Sequence, residues 1–334
     1  MTQTTAFQAM LLTQEAGKTQ CHLRDMTVDQ LPPGDVLVKV DYSSLNFKDA
    51  MAVTGTGKIV REFPMVPGID LAGTVVESDS PAYRPGDPVV LTGWSVGERY
   101  WGGYTQMQRV KADWLVPLAA GLDSFQAMAI GTAGFTAMLC VMTLEEAGIT
   151  PAAGPVLVTG AAGGVGSVAV ALLSRLGFRV SALVPPGREA MHDYLKELGA
   201  AEVLHGEAWA QAPRPLENQQ WAAAIDTVGS VVLSRVLASI DYGGAVAACG
   251  LAGGPDLPTT VMPFILRGVR LLGVDSVMCP VPRRQQAWQR LARDYPHEAF
   301  GQIASTAPLS KVPQLAAGMM AGGNRGRVVI DVNQ

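Results

Sequence analysis

Residues 156–166 read Val-Leu-Val-Thr-Gly-Ala-Ala-Gly-Gly-Val-Gly, and residues with this spacing can do one kind of chemistry well. An apolar run of strand length ends at Gly160, glycines follow at 163, 164 and 166, and 167–176 has helical composition. A strand, a tight glycine turn and a helix start, in that order, make a dinucleotide pyrophosphate site. Backbone N–H groups at the helix start point at the phosphates, and the helix dipole favours their charge. A Cβ in the turn would hold the diphosphate away from the backbone. An ordinary glycine-rich turn between strand and helix is the alternative reading.

The next strand of such a unit is expected at 178–184, and its end runs Leu183-Val184-Pro185-Pro186-Gly187-Arg188. A site for NAD places an Asp or Glu here to accept from the ribose 2′-hydroxyl. In this chain the first carboxylate is Glu189, and Arg188 comes before it. A carboxylate repels a 2′-phosphate, whereas a guanidinium grips it through paired charged hydrogen bonds. The residues therefore favour NADPH over NADH, the alternative for Arg188 being a solvated side chain at the start of a helix.

These residues need elements to position them. The first third reads as β-rich, with strands at 35–42, 71–77 and 88–92 set off by Pro/Gly turns. A helical texture rich in Ala and Met covers 124–139, and strands and helices then alternate as far as 249. Such alternation predicts a parallel sheet with helices on both faces. The last segment, 327–332, reads as a strand that returns to the first domain. The predicted class is α/β, a Rossmann-type doubly wound parallel sheet inserted in a β-rich domain. Residues 1–128 with about 297–334 form the β-rich domain and about 129–296 the nucleotide domain. The cleft between two such domains is where a substrate is expected.

Composition narrows the partners. Of 334 residues, 48% are hydrophobic and 16% charged, as in a compact globular protein, and the net charge of −4 suits neither nucleic acid nor an anionic membrane. The apolar stretches are interrupted before the roughly 20 residues that span a bilayer. The first ten residues are polar and unlike a signal peptide, so the expected location is the cytoplasm. Cys21, Cys140, Cys249 and Cys279 form no CxxC pair, and His22, His192, His205 and His297 are equally scattered, so no metal site is expected.

The chain resembles the acrylyl-CoA reductase group of the quinone oxidoreductase-like medium-chain dehydrogenase/reductases, over essentially its whole length. The resemblance is carried by Ser43-Ser44-Leu45-Asn46-Phe47-Lys48-Asp49, Phe63-Pro64-Met65-Val66-Pro67-Gly68-Ile69-Asp70, Leu91-Thr92-Gly93-Trp94 and Gly131-Thr132-Ala133-Gly134-Phe135-Thr136-Ala137. The glycine turn, Ala248-Cys249-Gly250-Leu251-Ala252-Gly253-Gly254 and Met262-Pro263-Phe264-Ile265-Leu266-Arg267 complete it. It implies a GroES-like catalytic domain, NADPH as hydride donor, and reduction of an activated carbon–carbon double bond, as in acrylyl-CoA to propionyl-CoA. In family terms Ala162, Gly163, Gly164 and Val165 line the pyrophosphate, and Pro186, Gly187 and Arg188 hold the 2′-phosphate. Leu251, Ile265 and Ser276 lie along the cofactor, with Phe47 near the nicotinamide.

Three departures stand out. The family commonly has Tyr at Phe47 and Ser or Thr at Pro186, and a basic residue where this chain has Gly206. The zinc-dependent relatives carry a ligating His where this chain has Ile69, and a ligating Cys in the segment where it has Asn46. The resemblance therefore implies no catalytic zinc.

Reducing an unsaturated thioester puts hydride on the β-carbon, a proton on the α-carbon, and transient negative charge on the thioester oxygen. Asn46 and Asp49 are the candidate catalytic residues. Asn46 would donate its amide to that oxygen, and Asp49 would order Lys48 or a proton-delivering water. Equally, both could satisfy backbone groups of a local turn. Lys58, Arg61 and Arg84 are candidate partners for CoA phosphates. Two other functions compete, an NADPH-dependent quinone or enone reductase and a non-catalytic NADPH-binding redox sensor. An edge strand at 269–277 is expected to pair two subunits into a homodimer.

Overall fold

The computed structural model describes residues 6–323 and 325–334. They divide into two compact units, one holding the chain up to Thr132 with Val277–Ala292 and Ala304–Gln334, the other Ala133–Ser276 with Arg293–Ile303.

The first unit is mostly β. A hairpin of β1 (Ala6–Glu15) and β2 (Lys18–Thr27) stands as its own two-stranded sheet. A seven-stranded sheet follows, built from β3 (Val36–Leu45), β4 (Asp70–Ser78), β5 (Pro88–Thr92), β6 (Met107–Val110) and β7 (Val116–Pro117). Its last members are β14 (Ala304–Pro308) and β15 (Arg327–Asp331), in the order β14-β15-β3-β4-β5-β7 with β6 also on β3. The C-terminal strand thus returns to this sheet, β15 running antiparallel to β3 from Val328 opposite Leu45 to Asp331 opposite Tyr42. Inward residues such as Val36, Val38, Val40, Leu71, Leu91 and Ile330 make the core. Helices α1 (Phe47–Thr54) and α9 (Val312–Met320) pack on each other within the unit.

The second unit carries a six-stranded sheet, all parallel, ordered β10-β9-β8-β11-β12-β13. The strands are β8 (Val156–Thr159), β9 (Val180–Val184), β10 (Glu202–His205), β11 (Trp221–Asp226), β12 (Ile240–Ala248) and β13 (Arg270–Gly273). β8, β9 and β11 are buried at every position, as strands covered on both faces must be. The chain builds outward from β8 in one direction and then, from β11, in the other. Right-handed crossovers therefore put helices on opposite faces, and the reversal lies between β8 and β11. α3 (Gly164–Arg175) packs on β8 and β9, α4 (His192–Glu197) on β10, and α5 (Ser230–Ser239) on β11 and β12. α6 (Met262–Arg267) lies against β12, and α8 (Ala299–Ile303) touches α3.

Residues 277–292, read from the sequence as nucleotide domain, group instead with the first unit. There α7 (Val281–Asp294) buries Arg284, whose guanidinium donates to the Thr92 carbonyl at 2.7 Å and the Thr92 hydroxyl at 2.9 Å. α2 (Ser124–Glu146) is longer than its sequence texture and is long and apolar enough, by length and composition, to cross a membrane. It is mostly buried and is broken at Gly131, where φ is 53° and ψ −162°.

Candidate active site

The glycine-turn edge of the second unit starts where β8 stops. Gly163 precedes α3 in an extended conformation (φ −78°, ψ 179°), and the first turn of α3 has neither a capping side chain nor an acidic residue. The N–H groups of that turn have no intrahelical partner, so they can serve an anion. Ala162 is buried, Gly163 exposed, and Gly164 and Val165 partly buried. Gly166 allows α3 to approach β8, since a Cβ there would lie 2.3 Å from the Gly160 carbonyl oxygen and 2.6 Å from the Ala161 Cα.

Asp226, which the reading of the sequence assigned no role, locks this edge at the reversal point. It is fully buried at the end of β11 and accepts from the Thr159 hydroxyl and the Gly229 N–H, both at 2.7 Å. Burial pushes its carboxyl above the ordinary range, and these donors offset part of the shift. Thr227 also binds Thr159, through its N–H at 3.0 Å and its hydroxyl at 2.9 Å. The signal in the sequence was a carboxylate closing an apolar strand.

Beyond β9, Pro186 and Gly187 are exposed and Arg188 is partly buried. Gly206 is buried, and a Cβ there would sit 2.8 Å from the Val184 carbonyl oxygen. A basic side chain at that position would therefore require the local backbone to shift. Leu251 is 64% and Ile265 71% exposed, while Ser276 is partly buried.

In the first unit the candidate catalytic residues lie inside a buried polar network. Asn46 precedes α1, with its side chain and that of Asp49 bonding reciprocally across the helix start. The Asn46 amide donates to Asp70 at 2.9 Å, Asp49 at 3.0 Å and the Ser44 hydroxyl at 3.2 Å, and its oxygen accepts from Arg327 at 3.0 Å. Two N–H bonds thus face three acceptors, all within the network. Asp49 accepts from the Asn46 N–H and the Ile69 N–H, each at 2.9 Å. Burial raises its carboxyl to about 7, with Asp70 adding to the rise and the N–H donors opposing it. Lys48 pairs with Glu98 at 2.8 Å and not with Asp49. Adjacent helical positions point about 100° apart, so Asp49 cannot hold Lys48 while folding back on Asn46.

Arg327 closes the network from β15, donating to Ser44 at 2.9 Å and to the Ala129 carbonyl at 3.0 Å. Asp70, buried at the start of β4, also accepts from the Thr132 N–H at 2.9 Å and the Thr132 hydroxyl at 2.5 Å. Gly131 is obligatory here, since a Cβ would lie 2.5–2.9 Å from Arg327, Asp70 and Ser44. Phe47, first residue of α1, stands 47% exposed beside this buried set. Lys58, Arg61 and Arg84 are all exposed.

The donor set does not fit a zinc ion. Ile69 offers no ligand atom, both ends of the Asn46 amide are engaged, and no three His, Cys, Asp or Glu gather among the described residues.

Comparison with known proteins finds a family model in each half of the chain. Residues 32–120 match the alcohol dehydrogenase GroES-like domain family and 164–293 the zinc-binding dehydrogenase family. The chain is 57% identical to the Escherichia coli protein named "Probable acrylyl-CoA reductase AcuI", covering 98% of this chain and 100% of the relative. It is 54% identical to acrylyl-CoA reductase AcuI of Ruegeria pomeroyi, over 96% and 97% of the two chains. The crystal structure of the yhdH oxidoreductase of Salmonella enterica in complex with NADP superposes with a TM-score of 0.95 at 57% identity, covering 97% of this chain and 99% of that one.

Proposed function

The chain belongs to the acrylyl-CoA reductase family of the medium-chain dehydrogenase/reductases, and from that premise we propose that it is an NADPH-dependent, zinc-independent reductase of acrylyl-CoA to propionyl-CoA. The observation that carries the reading is full-length identity above half to acrylyl-CoA reductases in two organisms. The glycine turn built on β8 and α3 supports the cofactor, as does the arginine after β9.

NADPH, when bound, supplies the hydride that goes to the β-carbon. Ala162, Gly163, Gly164 and Val165 take its pyrophosphate, and Pro186, Gly187 and Arg188 its 2′-phosphate. Leu251, Ile265, Ser276 and Phe47 contact the remainder. Asn46 and Asp49 act as positioning residues. With Asp70 and Arg327 they fix the start of α1, from which Phe47 projects. The substrate is a small molecule, the working form a cytoplasmic homodimer, and neither nucleic acid nor a membrane takes part.

The test is NADPH oxidation by the purified protein with acrylyl-CoA and, separately, a small quinone. Saturable turnover is expected with the thioester and slow or no turnover with the quinone. Turnover of the quinone alone would overturn the thioester reading in favour of a quinone reductase. NADPH binding without turnover of either, or of any enone, would identify a redox sensor.

A further inference from the structure

The loop after β9 already holds an anion belonging to the chain itself. Gly187, with φ 77°, turns its N–H onto the Glu189 carboxylate at 3.2 Å. Glu189 is fully solvent-exposed, yet its carboxyl is held below the usual range by its own backbone N–H, then by the Gly187 N–H, with His205 adding a smaller favourable field. His205 ends β10 in register with Val184 at the end of β9, so the end of β10 borders the same loop. Position 206 contributes no side chain, because the Val184 carbonyl lies where its Cβ would be. The two amides therefore converge on one oxyanion, and a carboxylate and a phosphate present the same kind of acceptor to such donors.

We propose that Glu189 is a displaceable internal counter-anion at the 2′-phosphate subsite, and that it sets how strongly the chain distinguishes NADPH from NADH. The inference rests on the proposed assignment of Pro186, Gly187 and Arg188 to the 2′-phosphate. A phosphate arriving at this loop must take the Gly187 N–H from Glu189. It must also tolerate a like charge on the order of 5 Å away, which in water costs about a tenfold loss of affinity for a dianion. NADH brings no such charge, and its 2′-hydroxyl can donate to the same carboxylate.

Calorimetric titration of the full-length protein with NADPH, NADH and adenosine 2′,5′-bisphosphate tests this, using wild type, Glu189→Gln and Glu189→Asp. Glu189→Gln keeps an acceptor for Gly187 but removes the charge. It is expected to bind NADPH and the bisphosphate about tenfold more tightly, with NADH unchanged or weaker. Glu189→Asp, still charged, stays near wild type. The inference is overturned if Glu189→Gln binds the phosphorylated ligands like wild type, gains equally for NADH, or shares its gain with Glu189→Asp. If wild type binds neither NADPH nor the bisphosphate, the cofactor assignment itself falls and the inference falls with it.

Discussion

The carboxyl of Asp49 is under two opposed demands. Three N–H bonds, from the Asn46 backbone, the Asn46 amide and Ile69, favour the anion. Burial and the nearby Asp70 favour the neutral acid more strongly, and the balance lies at about 7. The folded value thus exceeds the unfolded value of 3.8, and the folded state holds the extra proton between the two. Stability from this residue is complete below the unfolded value and is lost as pH rises through the folded one. Asp49→Asn cannot titrate, and it replaces an acceptor oxygen with a donor group. The variant should be less stable by about 1–3 kcal/mol in acid. Its deficit relative to wild type should shrink as pH is raised from about 4 to about 8. Urea midpoints across that range measure the difference, and a constant gap would show that Asp49 does not carry the proton. Nearby groups that share the field are Asp70, Arg327, Tyr104 and Cys21.

At the scale of elements, two glycines decide how helices join the rest of their units. Gly131 breaks α2 so that the Thr132 N–H and hydroxyl can reach Asp70, and Gly166 brings α3 onto the end of β8. Gly131→Ala combines a positive φ with a collision against buried polar atoms, and Gly166→Ala collides with backbone. Each should cost about 2–4 kcal/mol in thermal or urea unfolding. Gly318→Ala is the contrast. It lies exposed within α9 with nothing within 4 Å of its Cβ. Alanine there should stabilise by about 0.5–1 kcal/mol. Equal effects at all three positions would show that close approach is not the reason for the first two.

The whole molecule leaves one edge of its parallel sheet at β13, which is short, spanning Arg270–Gly273 rather than the longer strand expected at 269–277. In the same unit Val261 and Leu266, which the cofactor assignment does not use, are each more than half exposed. Apolar exposure of that kind marks an interaction surface, and a sheet edge invites a second copy. Light scattering at micromolar concentration should give about twice the monomer mass of 35.1 kDa. Leu266→Glu should shift that mass toward the monomer, and a wild-type monomer would refute the dimer.

What the order of residues determined by itself was local. The glycine turn at 160–166 and the alternating segments after it are contiguous in sequence, so their spacing and periodicity imply a nucleotide-binding parallel sheet. The return of the last strand was legible for the same reason, its apolar run being complete in a few residues. The buried network was not. Arg327 meets Asn46 across 281 positions, and Asp70 meets Thr132 across 62. Nothing within reach of any one of these residues signals its partner. Only the closing of β15 on β3 and the break in α2 bring the charges together. Once buried side by side, they must satisfy one another, because water is no longer there to do it.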